Sequence, residues 1–74
     1  MALIIDGRGL QPPEPFERTM EALDTLPPGE ELTLLLYVTP TPLFNALRRN
    51  NYVWQDNIQA DGTHEIRIRQ AGKS

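Results

Sequence analysis

The chain has 74 residues and a mass of 8.4 kDa, enough for one small core and too little for a catalytic domain joined to a separate cofactor domain. It contains no cysteine and a single histidine. That composition excludes disulfides, thiolate zinc sites, cysteine-held iron–sulfur clusters, cysteine nucleophiles and multi-histidine metal sites.

The formal charge is −3 and the pI near 4.9, against the basic excess typical of nucleic-acid binders. The charge is uneven. Residues 1–37 sum to −5 and residues 38–74 to +2, so the second half can present a local basic face, although solvated surface gives the same asymmetry. The first apolar run, Leu3-Ile4-Ile5, is cut off by Asp6 and is too short for a signal-peptide core. No run approaches the roughly 20 apolar residues that span a bilayer. A cytoplasmic protein is expected, with no membrane contact.

Residues 2–6 read as a first strand, ended by the turn signal Asp6-Gly7-Arg8-Gly9. Pro12, Pro13 and Pro15 suit the first turn of a helix, where a missing N–H is not needed. Phe16, Met20 and Leu23 follow at i, i+4 and i+7 as one apolar stripe, with Glu17, Arg18, Glu21 and Asp24 on the wet side. Pro27-Pro28-Gly29 stops this helix. Residues 31–37 form the strongest strand signal, with Leu32, Leu34 and Leu36 on one face and Thr33, Leu35 and Tyr37 on the other. Both faces are apolar, as in a central strand. Pro40 and Pro42 open a second helix, with Thr39 or Thr41 as its expected N-cap. Leu43, Phe44 and Leu47 supply its stripe, and Arg48 and Arg49 complement the dipole in its last turn before Asn50-Asn51.

Residues 52–59 and 63–70 are two strands around Ala60-Asp61-Gly62, a hairpin signal. A bulged three-residue loop with Gly62 left-handed gathers Trp54, Ile58, Ile66 and Ile68 on one face. A two-residue loop would scatter them, so the bulged loop is expected. The opposite face then carries Gln55, Asn57, Glu65, Arg67 and Arg69. The predicted fold is α/β (α+β), a two-layer sandwich in the order β-α-β-α-β-β, with two helices on one face of a four-stranded mixed sheet. One domain spans 1–70, and a flexible tail is expected at 71–74. The predicted core is Leu3, Ile5, Phe16, Met20, Leu23, Leu34, Leu36, Leu43, Leu47, Trp54, Ile66 and Ile68.

The segment Gly9-Leu10-Gln11-Pro12-Pro13-Glu14-Pro15, followed by Leu26-Pro27-Pro28-Gly29-Glu30-Glu31-Leu32, resembles the TusA/SirA sulfur-carrier family. That family has Gly-Leu-x-Cys-Pro-x-Pro at its helix start and Pro-Gly-Glu before its second strand. The resemblance covers about residues 3–70 and implies helices on one side of a four-stranded sheet. Its persulfide-carrying cysteine falls on Pro12, so the resemblance does not carry sulfur transfer to this chain. The cysteine-free Pro-Pro-x-Pro and the later Pro40-Thr41-Pro42-Leu43 are most similar to the uncharacterised bacterial group, domain of unknown function family 2249.

Few residues suggest chemistry. A helix start offers N–H groups to an anion, which makes Pro12 and Glu14 candidate binding residues, but Pro13 and Pro15 remove donors and a rigid joint explains the same residues. Gly72-Lys73-Ser74 ends like a phosphate-binding loop but lacks the upstream glycine, since position 67 is Arg67. His64 lies beside a turn near Asp61 and Glu65 and has no evident catalytic partner. Asp6, Glu14 and Glu17 do not have calcium-loop spacing. Neither an enzyme, a cofactor nor a metal is expected. The sheet face left open by the helices is the candidate partner surface, with Tyr37, Arg67 and Arg69 as its binding residues. RNA would need exposed aromatics, here Tyr37 with Tyr52, and is a minor alternative. The expected function is a non-enzymatic binding or regulatory module whose partner is another protein. The alternative is a degenerate sulfur-pathway component that binds a partner or small anionic ligand without covalent transfer. The expected state is a monomer or weak homodimer.

Overall fold

The protein is described by a computed structural model, which describes residues 3–11 and 14–71. Strand β1 (Leu3–Asp6), helix α1 (Glu14–Thr25), strand β2 (Leu32–Leu36), helix α2 (Thr41–Arg49), strand β3 (Tyr52–Ile58) and strand β4 (His64–Gln70) follow in that order. The sheet runs β1-β2-β4-β3. β1 is parallel to β2, and β4 is antiparallel to both β2 and β3. The expected α+β sandwich with its mixed sheet is therefore present.

Alternation along the central strands separates the two faces. Leu32, Leu34, Leu36, Ile66 and Ile68 are buried and cluster with Leu23 and Leu26 from the α1 side and Leu43 and Leu47 of α2. Both helices thus cover one face. Leu32 and Leu26, absent from the predicted core, belong to it, as does the fully buried Thr19, whose hydroxyl bonds the Pro15 carbonyl at 2.8 Å. Leu3 does not: it is 40% exposed because β1 is an edge strand with no helix beyond it. Ile5, Phe16, Met20 and Trp54 are half-buried at the margin of the cluster.

The hairpin closes as the alternation requires. Gln59 N–H donates to Thr63 O at 2.8 Å, Gly62 N–H to Gln59 O at 3.0 Å, and Gly62 has φ +90°. That is a three-residue loop with a left-handed glycine. Trp54 opposes Ile68, and Ile58 opposes His64. Ile58 shares the helix-side face but is 68% exposed, because it sits at the end of an edge strand.

Helix α2 departs from expectation at its start. Pro40, not Thr39 or Thr41, is the N-cap, and no side chain caps it. Pro40 and Pro42 preset φ and remove N–H groups that a threonine would otherwise satisfy. At the other end, the Asn50 side-chain amide donates to Ala46 O at 2.8 Å, and Asn51 turns left-handed at φ +64°. Over the sheet, Phe44 stacks on Trp54 with ring centres 4.9 Å apart, and the Arg48 guanidinium lies 5.7 Å from the same ring. These contacts fasten α2 to the β3 edge.

Candidate functional site

The carboxyl ends of β1 and β2 lie beside the amino ends of both helices, because each helix runs antiparallel to the strand before it. In open α/β sheets this end is where crevices form. Here it opens into a cleft of about 360 Å³. Leu34 and Leu36 floor it, Phe16 and Leu43 wall it from the two helices, and Tyr37 and Val38 stand at its mouth. Tyr37 is 58% exposed and Val38 65%. The volume falls within the range of ligand pockets, and the lining is almost wholly apolar.

Gly7 makes this geometry possible. Its N–H extends the parallel ladder to Leu35 O at 2.8 Å. A Cβ at Gly7 would lie 2.8 Å from Leu36 Cδ2 and 3.3 Å from the Leu35 carbonyl oxygen, so a larger residue there must displace the leucine tip and crowd the backbone where β1 meets β2.

Arg8 lines the same cleft but brings no free charge to it. Its Nε and Nη2 each donate to the Asp6 carboxylate at 2.9 Å, and its backbone N–H adds a third bond at 3.1 Å. The side-chain hydrogen bond to Arg8, then the backbone one, pull the Asp6 carboxyl down to about 2, and the same pairing raises Arg8. Asp61, at the tip of the β3–β4 loop, is also held below its ordinary value, first by the Thr63 backbone N–H, which donates to it at 2.9 Å. The Thr63 hydroxyl is buried and makes no hydrogen bond. A folded-state pKa below the unfolded one means that the Asp6 contribution is present above the ordinary carboxylate range of about 4. It is lost as pH falls from there towards about 2. A carboxyl NMR titration should place the Asp6 midpoint near 2 in the native protein. In Arg8→Gln it should rise from there towards the ordinary carboxylate range but stay below it, because the backbone N–H of residue 8 still donates to the carboxylate.

The residues expected to form a binding surface do not gather in one place. Arg67 opposes Thr33 and Gln55, and Arg69 opposes Val53, all on the open face. β2 ends at Leu36, and Tyr37 lies four residues beyond Thr33, about 13 Å along the strand direction. Tyr37 belongs to the cleft mouth instead. Arg67 reaches Glu65 at 3.5 Å, and Arg69 has no ion pair among the described residues. Glu14 pairs with Arg18 at 3.0 Å on the solvent side of α1 and does not line the cleft. Pro12 lies outside the described residues, as does the segment 72–74. Tyr52 is turned under the helices, its hydroxyl donating to Leu23 O at 3.3 Å, so it cannot serve as an exposed stacking aromatic beside Tyr37.

His64 finds a partner that neighbouring positions in the chain did not suggest. Its Nδ1 contacts both oxygens of Asp56, at 3.0 and 3.1 Å, instead of Asp61 or Glu65. The signal was period two across the hairpin, which sets 56 and 64 diagonally on one face. The pair ties the β3 edge to β4. It does not line the cleft, and no group of three metal-ligating side chains occurs among the described residues.

Among the described residues no helix is long and apolar enough to cross a membrane. Residues 4–70 match the family described as Uncharacterized conserved protein (DUF2249). No curated protein and no solved structure matches the chain.

Proposed function

We propose, from the premise that the chain belongs to that family, a non-enzymatic binding module of the cytoplasm. It takes an apolar side chain of a protein partner into the cleft at the carboxyl ends of β1 and β2. One observation carries this reading: an apolar cleft of about 360 Å³ whose rim exposes Tyr37 and Val38. Exposed aromatic and aliphatic groups around an apolar pocket suit an anchor residue, the usual centre of a protein interface. A charged small ligand is disfavoured, because the guanidinium at the cleft is already neutralised by Asp6.

The TusA/SirA-like reading concerns which partner. The match of Gly9-Leu10 and Pro13-Glu14-Pro15 to the carrier motif supports it, since this segment leads into the helix start that walls the cleft. On that reading the module docks a sulfur-handling protein without covalent transfer, position 12 being proline. RNA binding has less support, since Tyr52 is engaged beneath α1.

The test uses N-acetyl-leucine amide and N-acetyl-phenylalanine amide as side-chain probes, followed by backbone amide shifts. The expected result is movement at Gly7, Phe16, Tyr37, Val38 and Leu43, lost in Val38→Glu with stability changed by no more than about 0.5 kcal/mol. Shifts confined to Arg67 and Arg69, or none at saturating probe, overturn the reading.

A further inference from the structure

The sheet has two edges, and they are guarded differently. β3 carries Gln55, Asp56 and Asn57 along its length and is fastened under Phe44 and Arg48. β1 reads Leu3-Ile4-Ile5 with no charge before Asp6, and Ile4 is 65% exposed. Edge strands without charge, proline or bulge pair readily with another strand. The ladder determines which groups are free. Leu3 N–H donates to Glu31 O and Gly7 N–H to Leu35 O, so in this parallel pairing residues 3, 5 and 7 turn their backbone towards β2. Ile4 and Asp6 turn theirs outward. A groove runs along this edge between Leu3, Ile4 and Ile5 on the strand and Arg18, Glu21 and Ala22 on α1.

We propose that the β1 edge pairs antiparallel with the β1 edge of a second copy of this chain, giving a two-fold dimer with a continuous eight-stranded sheet. The occupant is identified by self-complementarity. With the axis at Ile4, the outward N–H and C=O of Ile4 meet those of Ile4 of the partner subunit. Leu3 then faces Ile5 of the partner subunit on the helix side, apolar against apolar. The same axis sets the two α1 helices antiparallel and brings Arg18 beside Glu21 of the partner subunit, and the reverse. Arg18 uses Nε and Nη2 for Glu14, which leaves Nη1 to donate across the interface. Glu21 has no ion pair among the described residues. A closed isologous contact of this kind uses one patch twice and leaves no further edge of its type exposed.

Sedimentation over a wide concentration series tests this. The native chain should show a reversible species of twice 8.4 kDa. Ile4→Pro removes one outward donor from each copy and leaves the bonds to β2 in place. It should weaken association about thirtyfold, with near-ultraviolet circular dichroism unchanged and melting unchanged at dilutions where both chains are monomeric. Arg18→Glu and Glu21→Arg should each weaken self-association, and their mixture should restore it as a heterodimer. A native chain that sediments as a monomer throughout overturns the proposal, as does a dimer that Ile4→Pro leaves intact. A mixture of charge variants that does not associate also overturns it, and does so without relying on the proline variant folding.

Discussion

Leu34→Ala is expected to destabilise the protein by about 2–5 kcal/mol. Leu34 is fully buried. It pairs with Ile5 on one side and Ile66 on the other, in the middle of the four-stranded sheet. Truncation removes its transfer free energy and leaves a void between strands that are hydrogen-bonded on both sides, so the backbone cannot close over it. A domain of this size has about 5 kcal/mol in total, and the variant should be partly unfolded near room temperature. Leu35→Ala is the matched control. Leu35 sits one position along on the open face and is only half-buried, so its loss should cost about 1 kcal/mol or less. Urea unfolding of both variants checks the pair. An unchanged midpoint in Leu34→Ala would mean that β2 is not the centre of the sheet.

Gly7→Val is expected to cost about 1–3 kcal/mol and to close the cleft. Its backbone φ is not in the left-handed region, so the argument is about space alone. The first added carbon already meets Leu36 Cδ2 at 2.8 Å and the Leu35 carbonyl oxygen at 3.3 Å. The leucine tip lines the cleft, so displacing it takes space from the cleft, and the carbonyl cannot move without loosening the ladder. Gly9→Ala provides the contrast, since no atom lies within 4 Å of its added carbon, and stability should stay within about 0.5 kcal/mol. Thermal unfolding reads the first effect. Loss of the amide shifts caused by N-acetyl-leucine amide reads the second. Shifts that persist in Gly7→Val would place the probe elsewhere.

Part of the candidate site is legible in the sequence. Tyr37 stood out as an exposed aromatic, and the prolines at 40 and 42 marked the start of the helix that walls the cleft. The cleft itself was not legible. It takes Gly7 from the loop after β1, Phe16 from α1, Leu36 from β2 and Leu43 from α2, four segments that no short-range pattern relates. Alternation extended one residue past the end of β2 puts Tyr37 on the open sheet face, but the backbone bends there and Tyr37 lines the cleft.

Features that depend on neighbours two to four positions apart are written in the local sequence. Those are the order of strands and helices, the leucine face of β2, the apolar stripes, and the three-residue hairpin loop imposed by Ala60-Asp61-Gly62. Period two and period 3.6 are backbone geometry and act locally. Which strands lie at the edges, and with it the exposure of Leu3, is settled by the assembled sheet. It alone brought His64 to Asp56 and left Arg67 far from Tyr37. These outcomes depend on the strand order β1-β2-β4-β3. That order follows from burying one continuous apolar face under two helices, a requirement of the whole chain that no single segment expresses.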